Sequence, residues 1–134
     1  MAEVGVHAAT DVTGFGLAGH AFEMAEGSNT TIIFELSRLP LIPDAEKLAH
    51  KPYLTRASAT NAAYVSQGLR IEGKPDPTRL EFFYDAQTSG GLLISVPAER
   101  AEALVENVRR RGAASACIVG EVTKRTDVAL IVKL

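Results

Sequence analysis

The chain reads DVTGFGLAGH from Asp11 to His20, and this stretch decides how the first third of the sequence is organised. Aspartate and threonine are residue types that favour the start of a helix. Apolar residues then recur at helical spacing from Leu17 to Met24. The pattern predicts a loop with two glycines, followed by a helix that ends near Gly27.

Beyond this segment, helices and strands are mixed without regular alternation, which favours an α+β fold class. The start of the chain, residues 1–10, resembles the tail of an element that began upstream, and residues 51–57 are predicted as loop. Strands are predicted at residues 30–36, 92–96, 116–122 and 127–132. Helices are predicted to begin at Pro43 and Pro97, the latter ending at Gly112, and to span residues 61–67 and 78–84.

Composition limits the class of protein. The chain has 134 residues, of which 46% are hydrophobic, and a formal net charge of −2. This length fits one domain, or one piece of a larger protein. Fourteen basic against sixteen acidic residues argue against a nucleic-acid partner.

No apolar run approaches the roughly 18 residues of a membrane span, and the N-terminus lacks the regions of a signal peptide. One cysteine fits a reducing compartment, so we expect a soluble cytoplasmic domain without a membrane partner.

The first glycine-bearing segment has the residue types of a phosphate site. Gly14 and Gly16 precede a helix, where backbone N–H groups can face a phosphate oxygen. Asp11 adds a hard carboxylate oxygen of the kind that magnesium prefers. The full phosphate-loop and dinucleotide-binding motifs are absent. The alternative is that Asp11 or Thr13 merely caps the helix and the glycines relieve a tight entry.

A second segment, DAQTSGG at residues 85–91, runs directly into the strand predicted from Leu92. Thr88 and Ser89 supply hydroxyls, and Gly90 supplies an exposed backbone amide, so the segment could form an anion-binding concavity. The alternative is a solvent-exposed loop whose glycines make a turn. Together, the two segments suggest an anion or phosphate site with a possible metal carboxylate.

Three stretches of the chain carry a family resemblance. They are ATDVTGFGLAGH at residues 9–20, followed by Glu23 and Met24, then DAQTSGGLLI at residues 85–94, and ACIVGEV at residues 116–122. In this order they closely resemble selenophosphate synthetase (selenide, water dikinase), a branch of the aminoimidazole-ribonucleotide-synthetase-like superfamily. The resemblance implies a layered α/β domain with a mixed sheet covered by helices. It divides the chain into an interdomain remnant, residues 1–10, and a C-terminal domain, residues 11–134.

The resemblance also implies an activity and a set of site residues. Enzymes of this family convert ATP, selenide and water into selenophosphate, AMP and phosphate, with Mg²⁺. Asp11 matches the metal-ligand aspartate of their C-terminal domain. The remaining candidates, all assigned to cofactor binding, are Thr13, Gly14, Gly16, Asn61, Thr88, Ser89 and Gly90.

The family's N-terminal domain carries a glycine-rich segment, a nucleophilic cysteine or selenocysteine, a lysine and further metal-binding aspartates. It also forms most of a homodimer interface. We expect this domain to be missing here, so that the chain alone does not turn over. Two positions depart from the family pattern: Ala86 replaces the usual proline, and Thr60 replaces a common arginine, which weakens the candidacy of Asn61.

Other reactive residues have plainer interpretations. Cys117 is predicted to be a buried structural thiol. His7, His20 and His50 lack the mutual spacing of metal ligands, although His20 could orient a carboxylate instead of simply packing. The arginines at residues 109–111 fit a solvated helix end, where cations complement the helix dipole.

Two further functions stay open from the sequence. One is a different ATP-dependent member of the same superfamily, acting on an amide or carbamoyl substrate. The other is a non-catalytic module that binds an anion or a partner.

Overall fold

The computed structural model describes residues 3–49 and 53–134, and the strands and helices in these ranges form two sheets and a helical layer. The strands are β1 (Ala8–Asp11), β2 (Thr30–Glu35), β3 (Leu69–Ile71), β4 (Leu92–Ser95), β5 (Gly120–Lys124) and β6 (Leu130–Lys133). The α-helices are α1 (Gly16–Gly27), α2 (Ala45–Leu48), α3 (Arg56–Val65), α4 (Pro77–Tyr84) and α5 (Ala98–Arg110). Short 3-10 turns span Leu36–Arg38 and Ser66–Gly68.

The larger sheet is mixed, with strand order β3-β6-β2-β5. β2 runs parallel to β6 and antiparallel to β5, and β3 runs parallel to β6. The smaller sheet is the antiparallel pair β1-β4, in which Asp11 lies opposite Leu92. A mixed sheet covered by helices confirms the predicted fold class.

Helix α1 packs on the larger sheet and on α3 and α4. The side of α1 that faces the core is made of small residues, Ala18, Ala21 and Ala25, all fully buried. Small side chains let the helix axis approach the sheet closely. Phe34 of β2 and Phe83 of α4 fill the space beside it, with ring centroids 5.2 Å apart in an edge-to-face arrangement. The core therefore lies between β2, β6, α1 and α4.

The elements with strong local patterns were predicted correctly. The structure confirms α1, β2, β4, α4 and α5, each within a few residues of the predicted bounds. Helix α3 begins at Arg56, five residues before its predicted start, so part of the predicted loop at 51–57 is helical. His50, Lys51 and Pro52 lie outside the described residues, as do the first two residues of the segment 1–10.

The strand predictions failed where a strand forms by pairing with a distant strand and has no sequence pattern of its own. β1 and β3 were missed because these segments of four and three residues have no sequence pattern typical of a strand. The strand predicted at 116–122 begins only at Gly120, opposite Phe34 on β2. A Cβ on Gly120 would lie 1.9 Å from the carbonyl oxygen of Ile33, so the close approach of β5 to β2 requires glycine there. In the described ranges, no helix is long and apolar enough to cross a membrane.

A buried threonine fastens β2 to the turn before β6. Thr31 is fully buried, and its Oγ1 donates to the carbonyl oxygen of Val128 at 2.6 Å. The same oxygen accepts from the backbone N–H of Thr126 at 2.9 Å. The hydroxyl thereby satisfies two backbone groups at the edge of the core.

The substitution Thr31→Val should destabilise the chain by about 1–3 kcal/mol, because valine keeps the shape of the side chain but leaves a backbone donor and acceptor without this partner. Urea unfolding measures the change. Thr123→Val, at an exposed position of β5, is the matched control and should change stability by less than about 0.5 kcal/mol. Equal effects at the two positions would contradict this role of Thr31.

Candidate functional site

Backbone hydrogen bonds join the two glycine-bearing segments into one site. The N–H of Val12 donates to the carbonyl oxygen of Gly91 at 2.9 Å, and the N–H of Gly90 donates to the carbonyl oxygen of Val12 at 3.0 Å. The N–H of Gln87 donates to the carbonyl oxygen of Thr13 at 3.0 Å. These bonds continue the antiparallel β1-β4 pairing beyond the end of β1, on the side where β4 begins. The segments are 74 residues apart at Val12 and Ala86, yet they form one surface.

Gly16 shapes the entry into α1. Its φ is +65°, and a Cβ there would lie 2.6 Å from the carbonyl oxygen of Tyr84 and 2.7 Å from that of Asp85. Its N–H donates to the carbonyl oxygen of Thr13 at 3.0 Å and is therefore already engaged. Gly16 allows the loop to cross the end of α4. Any role of Gly16 in cofactor binding would be to hold this loop shape.

The helix that follows has no side-chain cap. Its N-cap residue is Phe15, and no side chain accepts a hydrogen bond from the first turn. The interpretation that Asp11 or Thr13 merely caps α1 is therefore wrong. Both side chains are left for other partners.

In the second segment, too, some residues hold the loop in shape and others are exposed to solvent. The N–H of Gly90 is engaged by Val12, and a Cβ on Gly90 would lie 2.9 Å from the carbonyl oxygen of Val12. Thr88 and Ser89 are exposed at the tip of the loop. Their hydroxyls make no hydrogen bond with the described part of the chain. Contact of Thr88 and Ser89 with a phosphate stays a prediction.

Asn61 connects α3 to the first glycine-bearing loop and to the end of α4. It is 3% exposed, and its Nδ2 donates to the carbonyl oxygens of Gly14 at 3.1 Å and Tyr84 at 2.8 Å. The amide nitrogen is therefore engaged in holding the loop against the end of α4. Burial raises the pKa of the Tyr84 phenol, so this side chain stays neutral at ordinary pH.

Asp85 holds the start of α3 and was not singled out from the sequence. Its Oδ1 accepts hydrogen bonds from the hydroxyls of Thr55 at 2.7 Å and Ser58 at 3.2 Å. A carboxylate at a helix N-terminus is favoured by the helix dipole. Its position as the first residue of the DAQTSGG segment, immediately after a predicted helix, is the sequence feature that could have indicated this role.

An open groove of about 500 Å³ lies between the first loop and α3. Phe15, which is 50% exposed, borders it and stacks on Tyr64 with ring centroids 5.8 Å apart. The lining residues are Thr13, Gly14, Phe15, His20, Ala57, Thr60 and Asn61. Neutral side chains and one histidine therefore form its walls.

Asp11 supplies a single metal-ligand candidate. It is exposed at the end of β1, and its carboxylate makes no ion pair or hydrogen bond within residues 3–49 and 53–134. Among these residues, no group of three histidine, cysteine or acidic side chains could hold a metal ion together. A free, hard carboxylate fits one ligand position of Mg²⁺, and it fits no more than one.

His20 lies beside this loop, on the first turns of α1. Its Nε2 and the Oγ1 of Thr13 are 3.0 Å apart. Its Nδ1 is 3.8 Å from Oε2 of Glu23, one turn along the helix. The sequence left open whether His20 orients a carboxylate or only packs, and the structure places it between a hydroxyl and a carboxylate.

The other reactive residues lie elsewhere. Cys117 is half-buried in an irregular stretch before β5, not in a strand, and its thiol donates to the carbonyl oxygen of Arg38 at 3.4 Å. The arginines at the end of α5 contact other residues of the chain rather than the groove. Arg109 donates to the carbonyl oxygen of Ala116, and Arg111 pairs with Glu3. His7 is exposed near the start of β1.

Comparison with known proteins covers nearly the whole chain. Residues 1–133 match the family model described as AIR synthase related protein, C-terminal domain. The chain is 41% identical over 133 residues to the selenide, water dikinase of Caldanaerobacter subterraneus, covering 99% of this chain and 38% of that protein. It is 45% identical over 120 residues to the selenide, water dikinase of Rhizobium meliloti, covering 89% and 34%. The chain thus spans about a third of these relatives, and the similarities confirm the resemblance inferred from the motifs.

A solved structure is similar in fold. The crystal structure of the hydrogenase maturation protein HypE matches with a TM-score of 0.59 and 23% sequence identity. The match covers 92% of this chain and 31% of that one. This likeness supports the layered α+β architecture.

Two glycines of the first loop give a matched test of its geometry. Gly16→Ala should destabilise the chain by about 2–4 kcal/mol, because alanine is strained at positive φ and its methyl group would collide with two carbonyl groups. Gly14→Ala should stay within about 1 kcal/mol, since nothing lies within 4 Å of a Cβ there. Urea unfolding compares the two. Equal losses would contradict the assignment of the constraint to Gly16.

The substitution Asn61→Asp should destabilise the chain increasingly as the pH rises. Burial beside two carbonyl oxygens raises the pKa of the new carboxyl group in the folded chain. The folded chain then binds more protons than the unfolded chain, so stability falls with rising pH. We expect a loss of about 3 kcal/mol or more at about pH 8, and a smaller loss near pH 4, where one O–H donor remains.

Unfolding in urea across this pH range tests the prediction. Gln67→Glu, at an exposed position after α3, is the control and should change stability little at either pH. A loss at Asn61 that does not depend on pH would argue against the two hydrogen bonds as its cause.

Proposed function

This chain belongs to the family of AIR synthase related proteins, as their C-terminal domain, and we propose that it is the C-terminal domain of a selenide, water dikinase. That enzyme makes selenophosphate, AMP and phosphate from ATP, selenide and water. The observation that carries the proposal is the identity of about 40% to selenide, water dikinases along nearly the whole chain. The joining of the two motif segments into one loop surface supports it.

The site residues fall into two groups in this proposal. Asp11, Thr13, Gly14, Thr88 and Ser89 present side chains or backbone toward the nucleotide phosphates. Gly16, Asn61 and Gly90 fix the backbone of the loops, since their donors are already engaged. Phosphoryl transfer depends mainly on positioning and on charge stabilisation, so a rigid loop surface is a suitable contribution from this domain.

Asp11 is proposed as a ligand of Mg²⁺. The exposure of its carboxylate and its freedom from ion pairs support this role. Mg²⁺ would neutralise the negative charge of the phosphate oxygens during transfer. One carboxylate cannot hold the ion, so we propose that its other ligands come from outside the described residues.

The remaining machinery is proposed to lie on an N-terminal domain of the full-length protein. That domain would supply the nucleophilic cysteine or selenocysteine, a lysine and further aspartates. The chain spans about a third of its relatives, which agrees with such a division. We propose that the complete protein is a cytoplasmic homodimer and that this domain alone does not turn over.

Asp11→Asn, in the protein that includes the N-terminal domain, tests the reaction and the metal ligand together. Phosphorus NMR with ATP, Mg²⁺ and selenide should show selenophosphate and AMP for the unsubstituted protein. The variant should be about 100-fold slower or worse, because a lost metal ligand removes several kcal/mol of transition-state stabilisation.

Asp44→Asn is the matched control for this substitution. Asp44 is exposed, and its backbone has φ of +65°, a conformation that asparagine also accepts. The control should retain its rate. Full activity of Asp11→Asn would contradict the metal-ligand role, and ATP left intact, or ADP without a phosphorus–selenium species, would contradict the reaction.

A further inference from the structure

Three polar side chains form a row at the edge of the groove. Thr13 Oγ1 lies 3.0 Å from Nε2 of His20, and Nδ1 of His20 lies 3.8 Å from the carboxylate of Glu23. Thr13 and His20 both line the groove, whereas Glu23 is exposed on the outer side of α1. The imidazole therefore connects a groove hydroxyl to a surface carboxylate.

While the imidazole is neutral, its tautomer decides the direction of the Thr13 hydrogen bond. A carboxylate near Nδ1 favours the tautomer that carries its proton on that nitrogen. Nε2 is then an acceptor, and the Thr13 hydroxyl must donate to it. In this state the hydroxyl hydrogen is engaged and cannot bind an anion in the groove.

Protonation reverses this hydrogen bond. In the imidazolium both ring nitrogens are donors, so Nε2–H donates to the oxygen of Thr13. The hydroxyl hydrogen must then turn away from the ring. It becomes free to donate to an oxyanion in the groove, and the imidazolium adds a positive charge beside it.

His20 is the titratable residue in the lining of the groove, and the exposed Arg56 at the start of α3 adjoins the lining residue Ala57. Among the lining residues, all of which lie in the described ranges, His20 is the one that can carry a positive charge. From α3 the groove is faced by Thr60 and Asn61, which are neutral, and Tyr64 stacks behind Phe15. The acids on neighbouring elements, Asp11 on β1 and Asp85 after α4, do not line it.

We propose that His20 is a positioning residue whose protonation turns the Thr13 hydroxyl into a hydrogen-bond donor for a tetrahedral oxyanion, namely a phosphate group of the nucleotide. Glu23 sets the resting tautomer. The proposal deepens the proposed function and rests on it for the identity of the anion. It requires no change in the fold, because only protons move.

Sulfate is a suitable probe, since it is a tetrahedral dianion that does not titrate near neutral pH. Sulfate is added to this chain, and the amide signal of Gly14 is followed by NMR at about pH 8 and at about pH 5.5. Binding should be about tenfold tighter at the lower pH. Long-range nitrogen spectra of the His20 ring should show the proton on Nδ1 at the higher pH.

Variants separate the hydroxyl from the charge. Thr13→Val should reduce the pH dependence to about threefold or less, because only the charge of His20 remains. Thr13→Ser keeps a hydroxyl and should restore the dependence, which a merely structural threonine would not. His20→Gln cannot be protonated and should bind sulfate equally at both pH values.

Several outcomes would overturn the proposal. These are a proton on Nε2 at the higher pH, an unchanged pH dependence in Thr13→Val, or no sulfate binding at the lower pH. None of them affects the conversion of ATP and selenide measured with the two-domain protein. Conversely, pH-dependent sulfate binding in a protein that makes no selenophosphate would overturn the reaction and leave the hydroxyl switch intact.

Discussion

The whole site depends on the pairing of Val12 with two glycines. Val12 is 4% exposed, and its backbone exchanges hydrogen bonds with Gly90 and Gly91. Its side chain is held in the interior, whereas Asp11 before it is exposed and Thr13 after it is half-buried. Burial of one valine therefore presents Asp11 and Thr13 together and places the second loop beside them.

Close backbone approach explains why so few of the motif residues can touch a ligand with their side chains. Gly16 passes under two carbonyl groups at the end of α4, and Gly90 approaches the carbonyl oxygen of Val12. Asn61 then donates to one of these carbonyl oxygens, that of Tyr84, and to the carbonyl oxygen of Gly14. The motif is thus partly a ligand surface and partly the packing that keeps this surface rigid, and a rigid surface costs little to reorganise when phosphate charge moves.

The sequence predicted the elements that depend on neighbouring residues, but not those that depend on residues far away in the chain. The spacing of apolar residues predicted α1 and α5, because helices are stabilised by neighbours three and four positions away. β1 was missed because its four residues, AATD, have no pattern and become a strand only through β4, more than 80 residues later. Asp85 and the Thr13–His20 contact were missed for a related reason. The hydrogen bonds of Asp85 with Thr55 and Ser58, and the approach of Thr13 to His20, cannot be predicted from residue spacing.

The proposed metal ion on Asp11 and the proposed protonation of His20 have the same electrostatic effect. An ionised Asp11 near the loop would repel a phosphate group, because two negative charges a few ångströms apart interact unfavourably unless a cation lies between them. In the two proposals, a metal ion on Asp11 would remove this repulsion, and a proton on His20 would oppose it beside Thr13. If both bind as proposed, the cation and the anion each raise the affinity for the other by the same factor. Under these two proposals, the surface is suited to a substrate that arrives as a metal–polyphosphate complex.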